Sequence, residues 1–363
     1  MTPRSSQLTE APDARARTRK SANPPTTASQ WRTIMVFFGA RYRNCLSRTL
    51  LTICASLTVG ASAASAEDYP DRSLKIVQPF AAGGSTDVLA RGLAQKLSEY
   101  LRQPVIVEAR PGANGIIATQ AVAKSPPDGY TILLTTGSFT ANPQVASKPP
   151  YDVFKEFKPI TQLAGSYGLA LLTNLPANSV AELVSDAKKA AKPLSYATSG
   201  AGNLTHIAGR LFELRTGLDL TAVPYNTPAM LSDVMTGTVS MTFNSLFTAV
   251  PMVGQKQIKA LAITGDRRSP ALPDTPTMAE AGMKDYNLTG YFGILFPAGV
   301  PADRVERIYR ETMRALETPE VRKLIEENGL YVVGSSPDEF AAYIKQDFDY
   351  QKKLMDEVGL RPN

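Results

Sequence analysis

Apolar positions between residues 74 and 135 switch between two periods. Residues 74–77 form a short apolar strand that ends in Gln78-Pro79-Phe80. Gly83-Gly84-Ser85-Thr86-Asp87 breaks the chain, and Leu89, Leu93, Leu97 and Leu101 then recur every fourth residue, the stripe of a one-sided helix. A second strand is expected at 105–107, a turn at Pro111-Gly112-Ala113-Asn114-Gly115 and a helix at 116–124. Pro126-Pro127-Asp128-Gly129 forces another turn ahead of a strand at 130–135. This βαβαβ order predicts a mostly parallel sheet with helices on both faces.

The alternation continues past residue 165. Ser179 with Glu182 reads as a capping box opening a helix to about residue 191. A strand at 194–197 leads through Thr198-Ser199-Gly200-Ala201-Gly202 into a helix carrying Leu204, Ile207, Leu211 and Leu214. Further strands are expected near 219–223, 239–243 and 260–264. Thr318-Pro319 has the form of an N-cap followed by an N1 proline. Ser336-Pro337-Asp338-Glu339 is a second capping box, starting a helix that runs to about residue 357. Roughly 300 residues in this pattern exceed one usual core and favour two lobes. Periodicity does not place the boundary between them.

Charge changes the picture only at the N-terminus. Nine of the 39 Lys and Arg residues, but two of the 33 Asp and Glu, fall within residues 1–66; the remainder carries 30 basic and 31 acidic residues. The formal +6 therefore does not describe the body of the chain, and no basic surface for nucleic acid is expected. Arg41, Arg43 and Arg48 precede an apolar run at 50–60 and then Ala61-Ser62-Ala63-Ala64-Ser65-Ala66. That is the layout of an export signal cleaved near Ala66-Glu67. The run is shorter than the roughly 20 residues of a spanning helix, and bulky Ile53 disfavours a lipoprotein anchor at Cys54. Residues 1–34 are polar and aperiodic, which fits a start assigned ahead of Met35 or a genuine extension. Trp31, Cys45 and Cys54 all lie in this leader. Beyond it the chain has no cysteine and one histidine, His206, which excludes disulfides and thiolate sites and argues against zinc. No metal and no cofactor are expected.

Two segments, 77–87 and 196–206, share one design of strand, glycine-rich turn and helix. The first amides of a helix have no partner inside it, and the helix dipole adds positive potential there. Glycine allows close backbone approach, and Ser85, Thr86, Asn203 and Thr205 add short polar groups. The combination suits a small anion held by neutral donors. A plainer reading is that the glycines only turn the chain while Ser and Asp side chains cap the helices; the residues alone leave both open. Gly83-Gly84 lacks the third glycine of a dinucleotide fingerprint, and neither a P-loop nor a G-x-S-x-G elbow is present. A periplasmic hydrolase would have to use His206 and Asp87, which read better as a structural or pocket-lining histidine and a loop-orienting acid. Tyr225, Tyr291 and Phe292 either line a pocket or fill the core.

At these residues the chain resembles the extracytoplasmic solute receptors of tripartite tricarboxylate transporters, the TctC or Bug proteins. The resemblance covers nearly all of residues 68–360. It rests on Tyr69-Pro70, on Gln78-Pro79-Phe80-Ala81-Ala82-Gly83-Gly84-Ser85-Thr86-Asp87 and on Val107-Glu108-Ala109-Arg110-Pro111-Gly112-Ala113. It continues in Pro127-Asp128-Gly129-Tyr130-Thr131, Pro150-Tyr151-Asp152, Val223-Pro224-Tyr225, Phe296-Pro297-Ala298-Gly299 and Pro337-Asp338-Glu339-Phe340-Ala341. It implies an α/β type II periplasmic-binding-protein fold, two doubly wound lobes joined by a two-strand hinge. Lobe 1 would comprise residues 67–168 plus 292–363, and lobe 2 residues 169–291. It implies a receptor, not an enzyme, that captures a small organic carboxylate, di-/tricarboxylate or aromatic, and hands it to membrane permease subunits. Presenting the solute to a sensor is the alternative, and a monomer is expected.

The resemblance places the first-lobe contacts at Phe80, Ala82, Gly83, Gly84, Ser85, Thr86, Asp87, Thr136, Ser138 and Tyr167. The second-lobe contacts fall at Ser199, Gly200, Ala201, Gly202, Asn203, His206, Tyr225, Asn226 and Asn244. Four of the family's usual residues differ here. Asn226-Thr227-Pro228 replaces Lys-Gly, Asn244 replaces an aspartate, Ala82 a proline, and Tyr291 stands where a tryptophan is frequent. Loss of one charge of each sign points to a carboxylate with an aromatic or apolar body.

Overall fold

The computed structural model describes residues 69–200, 202–225 and 229–360, so the expected export signal and Met35 lie outside the described residues. The chain opens with β1 (Leu74–Gln78), α1 (Ser85–Leu101), β2 (Val105–Ala109), α2 (Ile116–Ala123), β3 (Thr131–Thr136), α3 (Ser138–Val145) and β4 (Phe157–Ser166). It then builds β5 (Leu169–Thr173), α4 (Val180–Lys189), β6 (Leu194–Thr198), α5 (Leu204–Thr216), β7 (Leu220–Pro224), α6 (Ala229–Met235), β8 (Met241–Ser245), α7 (Leu246–Gly254) and β9 (Lys259–Ile263). It returns through β10 (Tyr291–Pro297), α8 (Ala302–Leu316), α9 (Pro319–Glu327), β11 (Leu330–Val332) and α10 (Pro337–Glu357).

Two sheets result, one of order β11-β4-β10-β3-β1-β2 and one of order β7-β6-β8-β5-β9. Each is the centre of a lobe because its strands bury alternate residues in two different cores. In β3, Ile132 and Leu134 face the core shared with α1, α8 and α9, while Leu133 faces the core under α2, α3 and α10. In β5, Leu169 and Leu171 pack with α5, whereas Ala170 and Leu172 pack with α6 and α7. Leu89, Leu93, Leu97 and Leu101 are all buried, as their spacing requires.

Several sequence expectations change. The sheets are mixed rather than mostly parallel. Only β2-β1-β3 and β7-β6-β8 run parallel, while β4, β10 and β11, like β5 and β9, pair antiparallel. The cause is the crossover: β4 runs through Tyr167-Gly168 straight into β5 of the other sheet, and β10 arrives from the second lobe. Leu214, assigned to a buried stripe, is 50% exposed, so the apolar face of α5 ends at Leu211 and Phe212. Ser179 caps the Glu182 amide, but the Glu182 carboxylate accepts from Asn178 rather than closing the box. The Ser336–Glu339 box and the Thr318 cap form as expected.

The lobe junction is tightly hydrogen-bonded. The Ser166 hydroxyl accepts from the Gly168 amide (2.9 Å), Leu169 N–H donates to Thr264 Oγ1 (2.8 Å) and Ser166 N–H to Gly290 O (2.8 Å). Gly168 has φ 106°, and a Cβ there would lie 2.5 Å from Gly265 N and 2.6 Å from Thr264 Oγ1. Gly168→Ala is expected to cost about 3 kcal/mol in urea denaturation, combining backbone strain with overlap. The last helix also spans the junction. Phe340 and Ile344 of α10 pack with Tyr291 and Leu295, while Leu354, Met355 and Val358 pack with Leu171, Ile207 and Tyr286 of the other core.

Candidate functional site

Ligands of open α/β sheets bind beyond the carboxyl ends of parallel strands. Here the chain leaves β1, β3, β6 and β8 at such ends and turns at once into α1, α3, α5 and α7. Residues from all four helix starts line one cavity of about 410 Å³. Gly84, Ser85 and Thr86 come from α1, Gly137 and Ser138 from α3, Asn203 and Thr205 from α5, and Ser245 and Thr248 from α7. Phe80, Leu169, Leu204, Phe247, Phe292 and Leu330 supply apolar wall. Among the described residues no Asp, Glu, Lys, Arg or His side chain lines the cavity.

Capping separates the two lobes. At α1 the N-cap is Gly84, and no side chain accepts from the first turn. The Asp87 carboxylate turns away to Arg91 Nε (2.9 Å) and to the Gly83 amide (3.0 Å). The Arg91 hydrogen bond holds its carboxyl below the usual range against the opposing effect of burial. At α3 the N-cap is Gly137, which has no side chain to cap with, and the Ser138 amide reaches only Thr136 Oγ1, at a long 3.5 Å. The second lobe is different. Asn203 Oδ1 accepts from the Thr205 amide (3.0 Å), and Thr205 Oγ1 accepts from the Ser199 amide (2.9 Å). Ser245 Oγ accepts from Phe247 N–H (3.3 Å), while Asn244 Oδ1 takes the Ser245 amide and the Thr248 hydroxyl, both at 2.8 Å. Of the two readings the sequence left open for these turns, the first helix start fits the open one, while the second is largely satisfied by its own Asn and Thr side chains.

Comparison with known proteins supplies the family. The family model described as "Tripartite tricarboxylate transporter family receptor", TctC, matches residues 89–360. The chain belongs to this family. BugT of Bordetella pertussis is 32% identical over 307 residues, covering 83% of this chain and 94% of that protein. A solved R. palustris protein with adipate is 34% identical with a TM-score of 0.77, covering 81% of this chain and all (100%) of that one. MatC from Rhodopseudomonas palustris with bound malate is 27% identical with a TM-score of 0.72, covering 79% and 99%. The TctC-type chain is therefore a solute-binding protein of two lobes.

Of the TctC-type site residues expected from the sequence, the cavity wall includes Phe80, Gly84, Ser85, Thr86, Thr136, Ser138, Ser199, Gly202, Asn203 and Asn244. Others lie elsewhere. Ala82 and Gly83 are on the exposed outside of the first turn, and Gly200, although part of the second turn, is not on the wall. Asp87 is occupied by Arg91. Tyr167 packs edge-on against Tyr331 and under Arg267. The Tyr225 hydroxyl donates to Asp233 (2.5 Å). His206 stacks against Tyr196 inside the second lobe, where burial lowers its pKa and keeps the ring neutral. A hydrolytic pair of Asp87 and His206 thus has neither member at the cavity. Ala201 and Asn226 lie outside the described residues. Among the described residues no His, Cys, Asp or Glu cluster is placed to hold a metal.

The sequence reading did not single out Ser245, Phe247, Leu330 or Gln351, and left Tyr291 between pocket and core. Thr136-Gly137-Ser138 and Asn244-Ser245 did carry a signal, a small polar residue directly after an apolar strand. Leu330 and Gln351 carry none, because they reach the site only through tertiary packing.

A relay of asparagines crosses between the lobes beside the cavity. Asn203 Nδ2 donates to Asn114 Oδ1 (2.9 Å), Asn114 Nδ2 to Asn142 Oδ1 (2.8 Å), and Asn142 Nδ2 back to Asn114 O (3.0 Å). Asn114 has φ 53°, a conformation glycine adopts freely. Asn114→Gly therefore removes the link without backbone strain. It is expected to weaken solute binding about 2- to 10-fold, the worth of one net hydrogen bond, as faster dissociation in stopped-flow or calorimetric measurements.

Proposed function

We propose that the protein is a periplasmic receptor that captures a small organic carboxylate between its lobes and passes it to the permease subunits of a tripartite transporter. The observation that carries this reading is the pair of helix starts, α1 and α3, whose N-cap glycines provide no side-chain cap, on a cavity that no charged side chain lines among the described residues. Amides at a helix start are positive and need no counter-ion of their own, so an anion is the group that satisfies them. The first lobe then holds the carboxylate, and the self-capped second lobe supplies the lid. Adipate and malate in the R. palustris relatives support the same ligand chemistry.

The lobes would comprise residues 67–168 with 292–363, and 169–291, rotating about the Gly168 and Gly290 crossings. Export would follow from residues 41–66, with cleavage before Glu67. The wall formed by Phe247, Phe292 and Leu330 favours a solute with an apolar body, since among the described residues no lysine or arginine lines the cavity to compensate several carboxylates. In thermal-shift titrations adipate and benzoate are expected to raise the melting temperature more than citrate. Stabilisation by citrate alone would remove the apolar-body assignment, and no stabilisation by any of the three would remove the carboxylate assignment.

A further inference from the structure

Behind the cavity floor lies a carboxyl group that solute capture, as described so far, leaves unused. Asp347 on α10 is 8% exposed, and its Oδ2 is hydrogen-bonded to Thr140 Oγ1 of α3. That same hydroxyl is 3.0 Å from Gly137 O, at the uncapped start of α3 on the cavity wall. One hydroxyl hydrogen thus faces two acceptors. An ionised Asp347 takes it and leaves the Gly137 carbonyl without it. A protonated Asp347 instead donates to Thr140 Oγ1, whose hydrogen then serves Gly137, and both contacts are satisfied. One turn further along α10, Gln351 lines the cavity, its side chain hydrogen-bonding Asp347 while its Oε1 is buried without a partner.

We propose that Asp347 is the proton-linked partner of the solute site, so that an anion entering the cavity is bound together with a proton taken up by this carboxyl. The proposal rests on the cavity being an anion site. Among the described residues no cation offsets Asp347. The ionisable groups that feel its charge are the phenols of Tyr291 on β10 and of Tyr343 and Tyr350 on α10. From α3 it is faced by Thr140; the one ionisable residue of β4, Lys158, and the lysines and other acids of α10 are exposed. Burial pushes its pKa up to about 6, so it is mostly ionised at neutral pH until a second negative charge arrives on the other side of Thr140. Affinity then rises as pH falls from 8 towards 6, by up to about tenfold per pH unit, and levels off once Asp347 is protonated in the free protein.

Isothermal titration with adipate and with benzoate, at pH 7.5 in two buffers of different ionisation enthalpy, tests this. The expected result is net uptake of up to about one proton per anion bound. In Asp347→Asn the two buffers should agree, and affinity should no longer change between pH 8 and 6. Binding by the unaltered protein without proton uptake, or uptake that persists in Asp347→Asn, overturns the proposal while leaving the solute site standing. If neither anion binds, the solute-site reading falls, and this inference falls with it.

Discussion

Replacing Gly84 with leucine abolishes the thermal stabilisation conferred by a bound carboxylate and leaves the melting temperature of the unliganded protein nearly unchanged. Gly84 has φ −82° and ψ 174°, a conformation open to any residue. A Cβ there would meet only Ala81 O, at an ordinary 3.7 Å. The backbone therefore accepts the side chain. Its bulk instead enters the cavity at the start of α1, where a ligand oxygen has to approach the Ser85 and Thr86 amides. At a hundredfold excess over Kd, ligand stabilises the native protein by about 2.7 kcal/mol. For a folded body of about 300 residues that is a shift of roughly 4–5 °C. Scanning fluorimetry with adipate should show this shift in the unaltered protein and none in the variant. A variant that still shifts would move the carboxylate away from α1.

The second large effect concerns stability without ligand. Asp347→Asn is expected to make the protein about 2–3 kcal/mol more stable at pH 7.5 in urea denaturation, and to make no difference near pH 4. The carboxyl rises from 3.8 to about 6 on folding, chiefly through burial, and a shift of that size is worth about 3 kcal/mol. The sign follows from proton binding. Between pH 4 and 6 the folded protein holds a proton on Asp347 that the unfolded chain lacks, so stability grows as pH falls through that window. Above pH 6 the buried charge is a standing cost, which asparagine removes while keeping an acceptor for Thr140. His206 acts in the opposite direction. Burial depresses its pKa, so folding loses stability as pH falls below about 6.5. Comparing the variant with its parent at each pH cancels that contribution. Equal stability at pH 7.5 would mean that Asp347 is not charged in the folded protein.

Much of the first lobe was legible because each signal was local. The Leu89–Leu101 stripe, the Ser336–Glu339 box and the glycine turn before α1 each announce a structure within a few residues. The crossovers were not. β4, β5 and β10 are largely buried on both faces and carry little alternation; their antiparallel pairing comes from partners distant in sequence, as with Phe292 opposite Ala164 and Leu169 opposite Ser245. The site divided the same way. Residues 80–87 and 199–203 were visible as strand–turn–helix segments, but whether such a turn binds a ligand or only caps itself depends on one side chain. Asn203 folds back onto the Thr205 amide, and nothing at Gly84 can. Gln351, Leu330 and Asp347 owe their positions to α10 and β11 returning across the first sheet, information that spacing does not contain.

A crystal structure of the protein with adipate decides where the carboxylate is held. One carboxylate of adipate is expected within hydrogen-bonding distance, about 2.7–3.2 Å, of the main-chain nitrogens of Ser85 and Thr86 or of Ser138. The methylene chain is expected against Phe247, Phe292 and Leu330. A carboxylate seated instead on the Asn203 and Ser245 side, with those first-lobe amides facing only water, would contradict this placement.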